Sequence, residues 1–271
     1  MLGSTNHERN LYGENWNTVY GGYFSDPSSA LPLVRAILEA AGETGAAAIA
    51  DMGGGTGFLM SEVGREAGPG FGPRLVCVDA AQEQLDDCPD EVIAIRSTVE
   101  AVERPMLVEG GQTLLLCMRS LLHYFGREGL APELAHLRSV LLRGERMVHQ
   151  TICFEDPDDQ APANLLYERM GTGKWYPLVG ELASALEAAG LHVVAMEPAK
   201  SLPLESAELE ARYGIAHEDM EAIGRELAHR WPGPSRVIVP QETGFTTNLD
   251  YMVMTCLACR LASLRREKVK K

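Results

Sequence analysis

The sequence predicts an α/β fold in which a mostly parallel β-sheet is covered by helices on both faces. Short apolar runs, typical of buried strands, alternate along the chain with longer segments of helical periodicity. Such alternation produces strand–helix–strand units and therefore a parallel sheet. One predicted strand passes directly into a helix through the glycine-rich residues 53–57, a pattern typical of ligand-binding turns. The 271 residues, 45% of them hydrophobic, suffice for one sizeable core and an appendage.

Strands are predicted where apolar runs, such as LVCV before Asp79 and LLLCM before Arg119, are bounded by polar or turn-forming residues. These strands are Ala46–Met52, Arg74–Asp79, Glu91–Ile95, Thr113–Met118, Arg146–Phe154, His192–Met196 and Asp250–Leu257. Helices are predicted between them, where apolar residues recur every three or four positions, at Phe58–Glu66, Ala81–Asp87, Pro132–Leu142 and Pro177–Ala189. Gly190 follows the last of these helices, as a C-cap does.

Two segments fall outside this alternation. Residues 1–45 are predicted to form an N-terminal helical cap on a main domain of residues 46–271. This cap contains the aromatic residues Tyr12, Trp16, Tyr20, Tyr23 and Phe24. Residues 198–249 are predicted to form an inserted helical subdomain, with one helix around Glu205–Arg230 that ends at a Trp-Pro-Gly-Pro sequence.

An excursion as long as residues 198–249 is usually a lid, a substrate wall or a subunit contact. The apolar face of its predicted helix is therefore expected to meet a partner surface, and a homodimer is one arrangement that would supply it. That face consists of Leu209, Ile215, Met220, Ile223 and Leu227.

The charge balance argues against polyanionic partners. Lys and Arg number 24 against 38 Asp and Glu, a formal net charge of −14, so the surface repels nucleic acids and anionic membranes. The basic run Arg265–Lys271 is interpreted as a solvated end. A polar N-terminal stretch and the lack of a long apolar run predict a soluble, cytoplasmic protein.

The cysteine pattern predicts reduced thiols and no metal. Cys77, Cys117 and Cys153 each lie within an apolar run, as buried free thiols do. Cys256 and Cys259 form a C-x-x-C pair, but neither a second pair nor a nearby histidine completes a zinc site.

The glycine-rich turn distinguishes between ligands. A P-loop would continue with Lys and Ser or Thr, whereas Gly57 is followed by Phe58. The dinucleotide fingerprint would need a third glycine at position 58, where phenylalanine prevents close packing beside a pyrophosphate. What remains is an acidic-x-Gly-x-Gly-x-Gly motif, made by Asp51, Gly53, Gly55 and Gly57.

This motif resembles the first motif of the class I S-adenosylmethionine-dependent methyltransferases. The resemblance implies a Rossmann-like, seven-stranded, mostly parallel sheet whose last strand, Asp250–Leu257, is antiparallel. It implies S-adenosylmethionine as cofactor and S-adenosylhomocysteine as product. Asp79, at the end of the second strand, is spaced to accept two hydrogen bonds from a ribose, which is the role of this acid in the family. The full predicted cofactor set is Tyr20, Asp51, Gly53, Gly54, Gly55, Gly57, Asp79, Ala80, Ser97, Thr98, Met118 and Arg119.

A second stretch, R-S-L-L-H-Y-F, is similar to the R-x-x-L-H-D-W sequence of small-molecule O-methyltransferases. The resemblance implies that His123 is a general base, although Tyr124 and Phe125 stand where Asp and Trp are expected. The alternative is that His123 packs or caps a helix. Acceptor-binding walls are predicted from Tyr23, Tyr124, Trp175 and Tyr176, whose ring faces suit a sulfonium, or which simply belong to the core.

The predicted function is methyl transfer to the O, N or C atom of a small aromatic or apolar metabolite, in a biosynthetic pathway of secondary metabolism. No Asn-Pro-Pro-Tyr-type motif follows the fourth strand, which argues against nucleic-acid bases as acceptors. Two alternatives stay open. One is a non-methylating reaction, such as a cyclisation, on the same cofactor; the other is a non-catalytic sensor.

Overall fold

The computed structural model describes residues 22–259, within which eight strands form a single sheet in the order β3-β2-β1-β4-β5-β8-β6, with β7 paired to β8. The strands are β1 (Ala48–Met52), β2 (Arg74–Asp79), β3 (Ile93–Arg96), β4 (Leu114–Arg119), β5 (Arg146–Ile152), β6 (Leu191–Glu205), β7 (Ile238–Pro240) and β8 (Phe245–Ala258). β1 to β5 are parallel, and β8 is antiparallel to each of its neighbours. The predicted α/β class with its antiparallel last strand is confirmed.

Nine helices accompany the sheet in the described part of the chain. They are α1 (Pro27–Thr44), α2 (Phe58–Ala67), α3 (Gln82–Leu85), α4 (Arg104–Leu107), α5 (Gly126–Val140), α6 (Pro157–Arg169), α7 (Val179–Ala188), α8 (Ser206–Tyr213) and α9 (His217–Arg230). Short 3₁₀ turns lie at Val99–Ala101 and Leu122–Phe125.

Side chains alternate between the two faces of the sheet, as strand geometry requires. Ile49 of β1 packs on one face with α1 and α2, where Leu33, Ile37 and Val63 are fully buried. The residues on either side of it in the strand, Ala48 and Ala50, pack on the other face with α5 and α7. Because β1 to β5 are parallel, their carboxyl ends lie together at one end of the sheet, which is called the carboxyl edge below.

Helix α1 lies within the predicted N-terminal cap and packs directly on the sheet. Asp26 caps its first turn by accepting a hydrogen bond from the Ser28 N–H at 2.9 Å. The helix ends at Gly45, whose left-handed backbone (φ 62°) suits a C-cap glycine. Tyr12, Trp16 and Tyr20 lie outside the described residues, as does the basic run 265–271, and the boundary at residue 45 stays a prediction.

Strands β6 and β8 are longer than predicted, with 15 and 14 residues. They form an antiparallel extension from Leu202↔Leu249 to Glu205↔Thr246, and β7 adds to its edge. The extension was missed because Pro198 and Pro203 argue against a strand, although proline is tolerated at a sheet edge such as β6. Much of the predicted helical subdomain is therefore an extension of the sheet.

Two predicted helix boundaries were wrong. The helix expected around Glu205–Arg230 is two helices, because Gly214 adopts a left-handed backbone (φ 63°) and ends α8. Helix α5 begins at Gly126, upstream of the expected Pro132, and continues through that proline. The buried face made by Leu130, Leu134 and Leu137 offsets the one hydrogen bond that the proline cannot donate.

The apolar face of the inserted helices meets this chain and not a partner. Leu209, Met220 and Leu227 are at most 2% exposed, because α8 and α9 pack with α6 and the β6–β8 extension. Ile223 and Ile215 join the same cluster. The prediction that these five residues face a partner surface was wrong, because they pack against other residues of this chain.

None of the helices within residues 22–259 is long and apolar enough to cross a membrane. The same residues contain no group of three or more His, Cys, Asp or Glu side chains placed to hold a metal ion.

Glu133 on α5 makes stability depend on pH. Its side chain is 5% exposed, and burial together with the nearby Glu100 raises its pKa from 4.5 to about 7. The folded state therefore binds a proton that the unfolded state releases, and this contribution to stability is lost as pH rises from 4.5 through about 7. We expect Glu133→Gln to raise the free energy of unfolding at pH 8 by about 1–3 kcal/mol, with the gain shrinking towards pH 5.

Thermal unfolding followed by circular dichroism at several pH values measures this effect. Glu128→Gln is the matched control, because Glu128 lies exposed on the same helix. A melting temperature of Glu133→Gln that tracks the control at every pH would contradict the prediction.

Candidate active site

The turn between β1 and α2 needs glycine, because of its backbone conformation at three positions and the lack of space for a side chain at a fourth. Gly53, Gly55 and Gly57 have left-handed φ angles of 69°, 58° and 74°. Gly54 is constrained by space instead, because a Cβ there would lie 2.7 Å from Asp51 Oδ2. No side chain caps the first turn of α2, which begins directly after Gly57. The glycine N–H groups of the turn donate within the chain, so it is the first turn of α2 that presents backbone N–H groups and the positive end of a helix at the carboxyl edge of the sheet.

Asp79 lies beside this turn, at the end of β2. Its Oδ2 accepts a hydrogen bond from the Gly55 N–H at 3.0 Å, and its Oδ1 accepts one from the Ala81 N–H at 2.9 Å. The side chain is half-buried. Each carboxylate oxygen can accept a further hydrogen bond, so Asp79 joins the turn to β2 and keeps acceptor capacity for a ligand.

Asp51 ends up almost inaccessible beneath the turn. It is 2% exposed, and its Oδ1 has no hydrogen-bond partner among the residues that the structure describes. Burial raises its pKa well above the usual range, with a further rise from the charge of Asp79 and an opposing effect from Arg119. A buried acceptor without a partner is costly. A ligand carrying a donor or a positive charge would satisfy it.

The remaining predicted cofactor residues occupy different positions. The Ser97 N–H donates to the Asp79 carbonyl at 2.9 Å, which holds the end of β3 beside β2. Ala80 is half-buried next to Asp79, and Thr98 is exposed. Met118 is fully buried in the core, so only its backbone can reach the edge. Tyr20 lies outside the described residues.

Arg119 is engaged with its own chain. Its guanidinium donates to the carbonyls of Phe24 at 3.0 Å and Tyr23 at 3.2 Å, and to Ser29 Oγ at 2.9 Å. It also lies 5.4 Å from the centre of the Tyr23 ring. Arg119 thus fixes the segment before α1 to the end of β4, and a cofactor contact by this residue stays a prediction.

Ser120, the residue after Arg119, was not predicted as a site residue. Its φ of 60° is the one left-handed angle among the non-glycine residues described. Its N–H donates to the Gln150 carbonyl at 2.8 Å, and its hydroxyl lies 2.6 Å from the Tyr251 hydroxyl. Such strained backbone persists where neighbouring contacts enforce it and concentrates at functional sites. No sequence signal marks it.

His123 lies in the 3₁₀ turn after β4 and is 4% exposed. Its Nδ1 is buried without a hydrogen-bond partner among the described residues, and its ring packs 4.3 Å from that of Tyr124 and 5.4 Å from that of Tyr176. Burial lowers its pKa well below the usual value, and the charges of Lys174 and Arg212 lower it further. The imidazole is therefore neutral at pH 7 and a weak base.

The four predicted aromatic wall residues do not form one wall. Tyr124 and Tyr176 meet at His123. Tyr23 instead stacks on Tyr251 at 5.6 Å, next to Arg119. Trp175 packs partly against the core, with Arg127 5.6 Å from its ring.

The structure adds residues that sequence reasoning missed. Lys174 Nζ donates to the Tyr213 hydroxyl at 2.8 Å, and Tyr213 and its neighbour Arg212 end α8. These residues come from the turn after α6 and from the inserted helices. In the sequence, Lys174 directly precedes the predicted wall residues Trp175 and Tyr176, and Arg212 and Tyr213 lie in an amphipathic segment. No other sequence feature indicates a role for them.

No protein-family model matches the sequence, and no curated protein sequence matches it. Solved structures do match its fold. A proposed methyltransferase of Bacillus halodurans superimposes with a TM-score of 0.62 at 13% identity, covering 84% of this chain and 98% of that chain. The YcgJ protein of Bacillus subtilis gives 0.60 at 15% identity, with coverages of 86% and 98%.

A third match is 1,6-didemethyltoxoflavin-N1-methyltransferase of Burkholderia thailandensis, solved with 1,6-didemethyltoxoflavin and S-adenosylhomocysteine. Its TM-score is 0.53 at 15% identity, and the match covers 94% of this chain and 88% of that chain. At such identities the similarity concerns the fold. The strand order, the glycine turn at the end of β1 and these matches together establish that the chain has the fold of the class I S-adenosylmethionine-dependent methyltransferases.

Proposed function

We propose that the protein is an S-adenosylmethionine-dependent methyltransferase that acts on a small aromatic or apolar acceptor. The observation that carries the proposal is the glycine turn joined to Asp79 above the buried, unpartnered Asp51. All three lie at the carboxyl edge of the sheet, where folds of this type bind ligands. The Burkholderia enzyme of the same fold binds a small molecule and S-adenosylhomocysteine, which supports the choice of ligand.

The chemistry of the donor set fits this cofactor. Asp79 has acceptor capacity for ribose hydroxyls, and Ser97, whose N–H donates to the Asp79 carbonyl, and Thr98 would contact the adenine. The first turn of α2, which no side chain caps, offers backbone N–H groups to a carboxylate of the ligand. Asp51 Oδ1, which has no partner among the described residues, offers an acceptor to a donor group of the ligand. When bound, S-adenosylmethionine supplies an electrophilic methyl group on a positively charged sulfur.

The chain's own task is to place an acceptor and exclude water. Aligning two reactants at contact distance supplies much of the acceleration of a displacement reaction. Tyr124, half-buried beside the His123 ring, offers a flat apolar face for an aromatic acceptor, whereas Tyr176 is 1% exposed and only supports His123 from within the core. The neutral His123 imidazole can accept a proton from such an acceptor, and its low pKa makes it an inefficient base unless the acceptor is acidic.

The proposal is tested by incubating the protein with S-adenosylmethionine that carries a deuterated methyl group and with a set of phenols, enols and aromatic amines. Mass spectrometry should find the label on an acceptor, with S-adenosylhomocysteine formed in equal amount. Formation of a cyclised or eliminated product without label transfer would support the alternative, a non-methylating reaction on the same cofactor. Tight cofactor binding with no turnover of any acceptor would favour a sensor.

We predict that Asp79→Ala weakens S-adenosylhomocysteine binding about ten- to a hundredfold, since charge-assisted hydrogen bonds to a ligand contribute roughly 1.5–3 kcal/mol. Calorimetric titration measures the dissociation constant. Asp87→Ala is the control, because Asp87 is an exposed acid that follows α3. Equal affinities of wild type and Asp79→Ala would remove Asp79 from the cofactor site.

For His123, the base role predicts that His123→Ala lowers kcat about a hundredfold or more, with unchanged affinity for S-adenosylhomocysteine. The packing role predicts a lowered melting temperature with turnover kept. His149→Ala is the matched control, because His149 is fully buried in β5 and its pKa is lowered to about 4 by burial alone. Steady-state kinetics and thermal unfolding of both variants distinguish the base role from the packing role. Retained turnover in His123→Ala rules out His123 as the general base.

A further inference from the structure

Two free cysteines lie beside the glycine turn and contact the same backbone atom. The Cys77 sulfur lies 3.5 Å from the Gly55 carbonyl oxygen, and the Cys88 sulfur lies 3.8 Å from it. The two thiols also form a hydrogen bond with each other. Both backbone polar groups of Gly55 are thus held, the N–H by the Asp79 carboxylate and the carbonyl by this pair of thiols.

The turn packs closely on both sulfurs. A Cβ at Gly54 would lie 2.8 Å from the Cys77 sulfur, and a Cβ at Gly57 would lie 3.0 Å from the Cys88 sulfur. Cys77 belongs to β2, whereas Cys88 lies in the turn that follows α3, so the pair joins two different elements to the glycine turn. A movement of either sulfur therefore changes the contacts of the glycine turn.

The two thiols differ in access and in acidity. Cys77 is fully buried, whereas Cys88 is half-buried and can be reached from solvent. The hydrogen bond with Cys77 lowers the pKa of the Cys88 thiol below its usual value, against the opposing effects of burial and of the charges of Asp79 and Asp87. A thiol that is accessible, more acidic than usual and next to a second thiol is the arrangement that peroxides oxidise to a disulfide.

We propose that Cys88 is a site of oxidation by hydroperoxides and that it then forms a disulfide with Cys77, which loosens the glycine turn and weakens cofactor binding. The Cys88 thiolate attacks the terminal oxygen of the hydroperoxide and becomes a sulfenic acid, while the other oxygen takes up the proton lost by Cys88 and leaves as an alcohol or water. The Cys77 sulfur then displaces the hydroxyl group, which leaves as water with the Cys77 proton. Two thiols are oxidised, and one hydroperoxide is reduced.

The disulfide removes both S–H donors from the Gly55 carbonyl. It also brings the two sulfurs to about 2 Å from each other, which shifts the contact between Cys88 and Gly57 at the start of α2. With these hydrogen bonds lost, the affinity for S-adenosylhomocysteine should fall about tenfold. This consequence rests on the proposed function. In the rival interpretation, the thiols only support the turn and stay reduced.

Mass spectrometry of the full chain after treatment with hydrogen peroxide tests the disulfide. Trypsin cuts after Arg74 and Arg96, so both cysteines fall in one peptide, residues 75–96. After alkylation with iodoacetamide, this peptide should carry no label and should be lighter than its reduced form by two hydrogen atoms.

The matched control is the tryptic peptide of residues 237–260, which also contains two cysteines. Cys256 in this peptide is fully buried, and burial raises its pKa to about 12. Both of its thiols should stay open to alkylation after unfolding, at the peroxide dose that oxidises residues 75–96. Two labels on residues 75–96, or equal oxidation of the two peptides, would overturn the inference.

Calorimetric titration with S-adenosylhomocysteine tests the consequence for the turn. Oxidised wild-type protein should bind about tenfold more weakly than reduced protein, and dithiothreitol should restore the affinity. Cys88→Ser, which cannot form the disulfide, should have the same affinity before and after peroxide. Cys259→Ser is the control, because Cys259 is also half-buried, and peroxide should weaken its binding as in wild type. An affinity that peroxide leaves unchanged in wild type, or lowers equally in Cys88→Ser, contradicts the link to the cofactor.

The mass measurement does not depend on the cofactor and therefore separates the two proposals. Reduced wild-type protein that does not bind S-adenosylhomocysteine contradicts the proposed function and the link to the cofactor, while the state of residues 75–96 still decides the disulfide. Intact binding by reduced protein, with residues 75–96 fully alkylated after peroxide, contradicts only the oxidation inference.

Discussion

The hydrogen bond from the Gly55 N–H to the Asp79 carboxylate fixes the geometry on which the rest of the site depends. It joins the turn after β1 to the end of β2, two strands that lie side by side in parallel register. The turn is held further by the Gly53 and Gly54 N–H groups, which both donate to the Val78 carbonyl. A side chain at Gly54 would collide with Asp51 and Cys77. These backbone hydrogen bonds therefore fix both the shape of the turn and the position of the Asp79 carboxylate.

The inserted part of the chain packs against the turn that follows α6. The antiparallel extension of β6 and β8 carries α8 to the region beyond β4 and β5. Through Tyr213, α8 contacts Lys174 in the turn after α6. Under the proposed function, the cofactor would therefore be held by the parallel strands, and the acceptor side would depend on the antiparallel ones. Substitutions in the insertion would then be expected to change the acceptor and leave the cofactor turn unchanged.

The parts of the fold that the sequence predicts are those that depend on local pattern. The strands β1, β2 and β4 are continuous apolar runs, and Gly53–Gly57 forms a turn whose requirements are local, so both could be identified. The extension of β6 could not, because its pairing with β8 is long-range and its two prolines argue against a strand. The break at Gly214 was hidden by apolar spacing that continues on both sides.

The site residues also divide into those that a local pattern predicts and those that only the fold brings together. Asp51 lies in β1 and Asp79 ends β2, as the apolar runs before them predict, and their contacts with a cofactor stay a prediction. Lys174 and Tyr213 lie far apart in the sequence and form their hydrogen bond only through the fold, so no spacing rule could pair them. The engagement of Arg119 with the carbonyls of Tyr23 and Phe24 was also invisible, because backbone acceptors leave no signal in composition.

A crystal structure of the protein with S-adenosylhomocysteine tests the central claim most directly. The ribose hydroxyls should lie within hydrogen-bond distance of the Asp79 carboxylate, with the ligand against the backbone of Gly53–Gly57 and its sulfur towards the Tyr124 side of the edge. Electron density for the ligand elsewhere, or at this edge without contact to Asp79, would contradict it.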